Sequence, residues 1–241
     1  MAVMRLDKLL SNMGYGSRRE IKSLVKSGHV EIDGKTIEDP SSKVDTDESK
    51  VFVRGEHVEY RKYTYIMLNK PAGIVSSTDS RDTNVIDILD GKLKNISLFP
   101  AGRLDKDTEG FVLLTNDGKM AHNILSPKKH VEKEYYVELD GELSENGRIS
   151  IENGITLEDG SQCLDCRIEM ISNEMKLCKL KIFIREGKYH QIKRMFEMTG
   201  RKVTYLKRLS IGDIRLDSNL EKGEYRELSS DELDKLPVSE D

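Results

Sequence analysis

The chain has 241 residues, enough for one large domain or two smaller ones, with 34% charged and 37% apolar residues and a formal net charge of −4. That balance suits a soluble protein with a real core, and no apolar run reaches the roughly 20 residues of a membrane span. The N-terminus MAVMRLDKLL lacks the long apolar segment of a secretory leader, so a cytoplasmic location is the expectation.

Leu6, Leu9, Leu10 and Met13 fall at i, i+3, i+4 and i+7, one face of a first helix that ends near Gly14. Ser17-Arg18-Arg19-Glu20 is a capping box opening a second helix, with Ile21, Leu24 and Val25 inward and Gly28 as its stop. Arg18, Lys22 and Lys26 recur every four residues and line the opposite side. Val30-Glu31-Ile32, Asp33-Gly34 and Lys35-Thr36-Ile37 read as a tight hairpin, and Val51-Phe52-Val53 adds a short strand. The polar segment from Gly55 to Lys62 shows no period, which places a domain boundary there, with residues 1–60 on one side and 61–241 on the other.

Tyr65–Leu68 is an apolar strand running into the turn Asn69-Lys70-Pro71-Ala72-Gly73. Val85–Leu89 reads as a short helix. Phe111–Leu114 reads as a buried strand stopped by Asn116-Asp117-Gly118. Alternation predicts further strands at Tyr135/Val137/Leu139, at Leu164/Cys166/Ile168/Met170 and at Leu180/Ile182/Ile184. A helix that starts with the run Tyr189 to Phe196 and is capped by Gly200 buries Ile192, Met195, Phe196 and Thr199 and leaves His190, Lys193, Arg194 and Glu197 on its other side. The tail from Asp231 is expected to fray. With no strict βαβ rhythm, the fold class is α+β, with a mixed and largely antiparallel sheet.

The run Asp105-Lys106-Asp107-Thr108-Glu109-Gly110 invites a calcium-loop reading, but the sequence argues against it. With Asp105 at position 1, the closing ligand at position 12 would be Asn116, and a strand stands where the second helix belongs. The three cysteines, Cys163, Cys166 and Cys178, are an odd set, and no second ligand pair completes the CxxC, so reduced structural thiols are expected. The histidines His29, His57, His122, His130 and His190 are scattered, and no phosphate-cradling or dinucleotide motif is present. No metal and no cofactor are therefore expected. What remains is carboxylate chemistry beside cations. Asp105 can be a nucleophile if it is ionised, aimed and partly desolvated, and Lys193 is a candidate for the cation that holds it so. A surface salt bridge is the plainer reading of the same residues.

Residues 1–28 hold six Lys/Arg against Asp7 and Glu20, and residues 185–210 hold eight against Glu186 and Glu197. Two basic zones in an acidic chain fit localised anion binding, or else solvated helix faces.

Four ordered motifs carry a resemblance. Leu68-Asn69-Lys70-Pro71-Ala72-Gly73, the stretch from Gly102 to Gly110 (GRLDKDTEG), Lys133-Glu134-Tyr135, and the stretch from Gly187 to Phe196 (GKYHQIKRMF) resemble the motifs of the RsuA-type ribosomal-RNA pseudouridine synthases. Residues 4 to about 50 resemble the αL-type, ribosomal-protein-S4-like RNA-binding domain usual at the N-terminus of that family. The chain departs from the family at Phe111-Val112, where a leucine pair is common.

The resemblance implies a small S4-like domain followed by a pseudouridine synthase domain that isomerises uridine in ribosomal RNA. Asp105 would be the catalytic carboxylate, Lys193 would hold it ionised, and Tyr135 would stack on the uracil and help move a proton. Arg103 would fill the gap left by the extruded nucleotide, and Asp107 would only fix the local turn, with Thr108. Arg18, Lys22 and Lys26 would contact phosphates, Arg194 would add to the RNA contacts, and Lys70 would either do the same or only pack its stem. The run from Tyr65 to Thr78 and the Ser126-Pro127 stretch look most like the small-subunit branch; a large-subunit target and a non-catalytic assembly factor are the alternatives. The implied partner is ribosomal RNA or an assembly particle, met by a monomer.

Overall fold

The structure, a computed structural model, describes residues 3–78 and 81–236. It divides into two compact units, Met1–Thr64 with Ile86–Phe99, and Tyr65–Val85 with Pro100–Asp241.

In the first unit the helices Leu6–Asn12 and Arg18–Lys26 form where the 3.6-residue spacing placed them. The capping box is closed on both sides: Glu20 N donates to Ser17 Oγ, and Ser17 N donates to Glu20 Oε2 at 2.7 Å. Leu6, Leu9, Leu10, Ile21 and Val25 pack with Val30, Val51 and Val53 into one apolar cluster. A four-stranded antiparallel sheet covers it, in the order Lys35–Thr36, Val30–Ile32, Val51–Val53, Glu56–Val58. Asp33 and Gly34 both take positive φ, as the tight hairpin turn demands. The segment read as a boundary contains the fourth strand, Glu56–Val58. Only Val58 of its three residues is buried, so there was no alternation to see.

The expected helix at Val85–Leu89 is absent. Val85 N donates to Val75 O, in a bridge that joins Val75 to Asn84, so no helical ladder starts there. Ile86–Phe99 instead makes turns and a single 3-10 turn, Leu93–Asn95, within the first unit. Lys92 Nζ donates to Tyr15 Oη at 2.9 Å, and Asn95 Nδ2 donates to Gly14 O at 3.0 Å.

The second unit is built on one long sheet. Its strands run in the order Arg167–Glu174, Leu177–Ile184, Lys133–Leu139, Val203–Ile211, Glu109–Thr115, Tyr65–Lys70, Tyr225–Glu227. Neighbours along this path are antiparallel except Val203–Ile211 with Glu109–Thr115, which are parallel. Glu109–Thr115 lies near the middle and every residue in it is buried, which is why it reads as a continuous apolar run. The helices are Gly118–Leu125, Glu145–Glu152, Gln191–Glu197 and the short Ser230–Leu233.

Two expectations shift here. The strand expected from Leu164 begins at Arg167, and a bulge between Met170 and Ser172 breaks its alternation. Cys166 therefore precedes the strand; its thiol donates to Ile151 O, and burial pushes it up to about 12. None of the three cysteines is in a disulfide. Finally, Ser230–Leu233 is a capped helix tied down by Arg226, which donates to Glu232 at 2.7 and 2.8 Å. Of the tail expected to fray, residues 237–241 lie outside the described residues.

Candidate active site

The stretch that begins at Ala101 is held at both ends before it presents any acid. Ala101 N donates to Leu113 O at 2.7 Å, Leu104 N donates to Ser76 Oγ at 3.1 Å, and Gly73 N donates to Lys106 O at 2.7 Å. Leu104 turns inward and is buried, as an anchor should be. Thr108 N donates to Asp105 O at 3.1 Å and closes a tight turn that leaves the Asp105 side chain about a quarter exposed. After this turn, Gly110 sits where a side chain could not. Its φ is +99°, and a Cβ would stand 2.2 Å from the Arg208 carbonyl oxygen, at the parallel junction with Val203–Ile211.

Lys70 fixes the same turn from below. It is fully buried at the end of Tyr65–Lys70, and its ammonium donates to Thr108 O at 2.7 Å, Pro71 O at 3.0 Å and Lys106 O at 3.3 Å. Burial pushes its pKa down to about 8, against the pull of Asp107, Glu109 and Asp105. Of the two roles open to Lys70, RNA contact or packing of its stem, its burial and its bonds to backbone carbonyls inside the unit favour the second.

Lys193 lies on Gln191–Glu197, two residues from the helix start. Its ammonium is 3.1 Å from Asp105 Oδ2 and 2.6 Å from Asp107 Oδ1. Burial alone would lower the Lys193 pKa, but the hydrogen bonds of Asp107 and Asp105 outweigh it and raise the net value. Asp107 feels a burial effect that raises its pKa, yet Lys193 brings it below the ordinary carboxylate range. Asp107, expected only to shape the turn, thus shares the cation with Asp105 while its own side chain stays largely in solvent.

His190 completes the group. It is the residue before Gln191–Glu197, in the left-handed region at φ 48° and ψ 33°. Such backbone costs a non-glycine residue about 1–3 kcal/mol and gathers at functional sites. Here it carries the imidazole to within 3.6 Å (Nε2) of Asp105 Oδ1. His190 had no expected role, because it stands in no ligand spacing; its signal was position, three residues before Lys193 on the same polar face.

Tyr135 is buried on Lys133–Leu139 and faces Arg208 directly across the strand pair. Arg208 is 2% exposed, so its position in phase with Leu206 and Ser210 was the signal the sequence offered. Its Nε donates to Phe111 O at 2.7 Å, its Nη1 reaches Tyr135 Oη at 3.4 Å, and its Nη2 is buried without a partner among the described residues. Because Arg208 also pairs with Gly110, Tyr135 is joined to the acid-bearing turn through one guanidinium and two strand pairings.

Arg103 is exposed and has no hydrogen bond or ion pair among the described residues. Arg194, expected among the RNA contacts, has protein partners of its own. It pairs with Asp159 at 2.6 Å and donates to Tyr189 O, so it braces the loop before its own helix. Two more cations of the second basic zone are paired in the same way, Arg185 with Asp165 and Lys188 with Glu186, and Arg208 is buried. In the first unit, Arg18, Lys22 and Lys26 are exposed and line one wall of a groove of about 540 Å³. Its other lining includes Arg5, Asp7 and Asp39, with Arg5 bound to Asp7 at 2.7 Å.

The geometry can do carboxylate chemistry on a ligand that approaches Asp105, with a cation, an imidazole and an exposed arginine close in sequence or space. Comparison with known proteins narrows it. Residues 64–198 match the RNA pseudouridylate synthase family, and residues 4–49 match the S4 domain. The chain is 50% identical to the Bacillus subtilis protein named as an uncharacterised RNA pseudouridine synthase, YtzG, over 95% of this chain and 97% of that one. It is 38% identical to ribosomal small subunit pseudouridine synthase A of Haemophilus influenzae, over 97% and 99%. A solved structure described as a pseudouridylate synthase superposes with a TM-score of 0.68 at 36% identity, covering 97% of this chain and all of that one.

Proposed function

This chain belongs to the RNA pseudouridylate synthase family, and from that premise we propose that it isomerises one uridine of small-subunit ribosomal RNA, with Asp105 acting on a base swung out of its stack. The observation that carries the reading is the Asp105 carboxylate, part-exposed and 3.1 Å from the Lys193 ammonium. Lys193 keeps its proton because two carboxylates face it, so it serves Asp105 as a fixed positive charge.

The reaction breaks the bond from the ribose C1′ to uracil N1 and forms one from C1′ to C5. The C5 proton leaves and N1 gains one, so atoms balance without an outside reagent. A stacked base is out of reach, and extrusion costs a few kcal/mol. Arg103, exposed and unpaired among the described residues, is placed to brace the vacated space, since a planar guanidinium both stacks and binds phosphate. Tyr135 is held by Arg208 and offers an aromatic wall to the uracil. The choice of the small-subunit target rests on the Haemophilus influenzae and Vibrio vulnificus relatives, each named ribosomal small subunit pseudouridine synthase A.

The test uses small- and large-subunit ribosomal RNA transcripts carrying tritium at uridine C5. Release from the small-subunit transcript is expected with wild type and not with Asp105→Asn, which still binds RNA. Release confined to the large-subunit transcript would overturn the target, and equal release by both proteins would remove Asp105 from the chemistry.

A further inference from the structure

Tyr189 is 74% exposed, yet it is far from free. Its ring stacks on the His190 imidazole with centroids 3.8 Å apart and planes 16° from parallel. The two rings are in close face-to-face contact. The pair is fixed from three sides: His190 sits in a left-handed backbone conformation, its Nε2 lies 3.6 Å from Asp105 Oδ1, and Arg194 donates to the Tyr189 carbonyl. Arg194 is itself anchored on Asp159 at 2.6 Å.

Core packing does not account for the arrangement, because the outer ring buries little. A strained residue holds the inner ring at the acid, and the inner ring holds the outer one in solvent. An aromatic face offered to solvent beside an acid that works on a nucleoside has one natural occupant, a nucleobase, and any of the four bases presents a π-face. The occupant is not the target uracil, which must meet Asp105 itself. It is the neighbour along the strand, displaced from its own stack when the target swings out.

Resting on the reading of the chain as a uridine isomerase, we propose that Tyr189, backed by His190, forms a stacking subsite for the nucleobase adjacent to the target uridine. The subsite replaces the stacking that the neighbour loses, and so favours the opened RNA over the closed one. Its contribution falls on binding, because neither ring is asked to move a proton or form a bond. Tyr189 is a binding residue here, distinct from the acid and its cation.

The experiment maps the target on wild-type protein, then places 2-aminopurine at the position 5′ or 3′ to it in the transcript. Wild type and Tyr189→Phe should quench the probe at one of the two positions on binding, and Tyr189→Ala should lose most of that quench. In tritium release, Tyr189→Ala should raise KM on the order of tenfold with kcat within about threefold, and Tyr189→Phe should restore KM. Because the side chain is exposed, the circular dichroism and melting of Tyr189→Ala should match wild type. Quench and KM both unchanged in Tyr189→Ala would overturn the subsite while leaving the isomerase intact. A raised KM with the quench retained would overturn stacking as its basis. No tritium release by wild type from any ribosomal RNA transcript would overturn the isomerase reading, and the subsite with it.

Discussion

Replacing Lys70 with methionine separates two roles that a lysine in a nucleic-acid enzyme could have. Lys70 titrates at about 8 instead of 10.5. At about 1.4 kcal/mol per pH unit, keeping its charge inside the fold at neutral pH costs roughly 3 kcal/mol. Methionine fills a similar volume and removes that cost. Against this, Pro71 O and Thr108 O lose their bonds to the ammonium, while Lys106 O keeps the one from Gly73 N. Two such losses are worth about 1–3 kcal/mol each. The net change in stability is therefore small, at most about 3 kcal/mol, or about 6–12 °C in Tm for a domain of this size.

Catalysis should suffer more than the fold. The turn bearing Asp105 loses its underside, and misplacement by about 1 Å costs on the order of 100-fold in kcat. The assay is tritium release at saturating RNA, beside a salt titration of RNA affinity. Lys70→Met should lower kcat and leave the salt slope as in wild type. A slope reduced by about 0.7–0.9, with kcat intact, would mean that Lys70 contacts a phosphate and would refute the buried-anchor account. The pH dependence has a definite sign. Between pH 8 and 10.5 the unfolded chain binds more protons at Lys70 than the folded chain does, so wild type should gain stability relative to Lys70→Met as pH rises through that window.

Asp107→Asn should lower the Lys193 pKa, since one of the two carboxylates that raise it is gone; a titration of the Lys193 side-chain NMR signals would read this, and an unchanged value would show that Asp107 does not share the cation. The same pair dictates the wild-type pH limits: Lys193 contributes stability below its unfolded pKa and loses it as pH climbs through the raised folded value. Replacing Arg18, Lys22 and Lys26 together by glutamine should weaken RNA capture and cut the salt slope by up to about 2–3. Unchanged affinity at low salt would reduce the stripe to a solvated helix face.

Legibility in the sequence followed the strength of the local signal. The helices of the first unit were plain because apolar spacing and a capping box agreed. Glu109–Thr115 was plain because it is buried on both faces. The strand Glu56–Val58 was hidden because three residues with one inward valine carry no period. The helix Gly118–Leu125 went unseen because Asn116-Asp117-Gly118 also reads as a turn; Asp117 is in fact its cap, accepting from Lys119 N and Met120 N. At the site, Asp105 and Lys193 were named together from their chemistry and stand 3.1 Å apart, although 88 positions separate them in the chain. The environment of each charge was not legible. Nothing local to Lys70 says that three carbonyls converge on it, and nothing local to Arg194 names Asp159, because both depend on where distant loops arrive.

The two lysines show why burial, more than charge, assigns roles around this acid. Both are cations near Asp105, and both feel Asp107 as well. Lys70 is wholly buried, and burial wins, so its proton is weakly held and its bonds go to neutral carbonyls. Lys193 keeps about a fifth of its side chain exposed, and its carboxylate partners win. Exchanging the two tasks would fail on both sides. A fully desolvated lysine facing the acid would hold its proton less firmly than Lys193 does, because burial opposes the carboxylates' pull. A half-solvated lysine under the turn would trade its carbonyls for water and let the turn drift. The chain therefore separates the cation that shapes the backbone from the cation that meets the carboxylate, and only the second is open to solvent and to a ligand's charge.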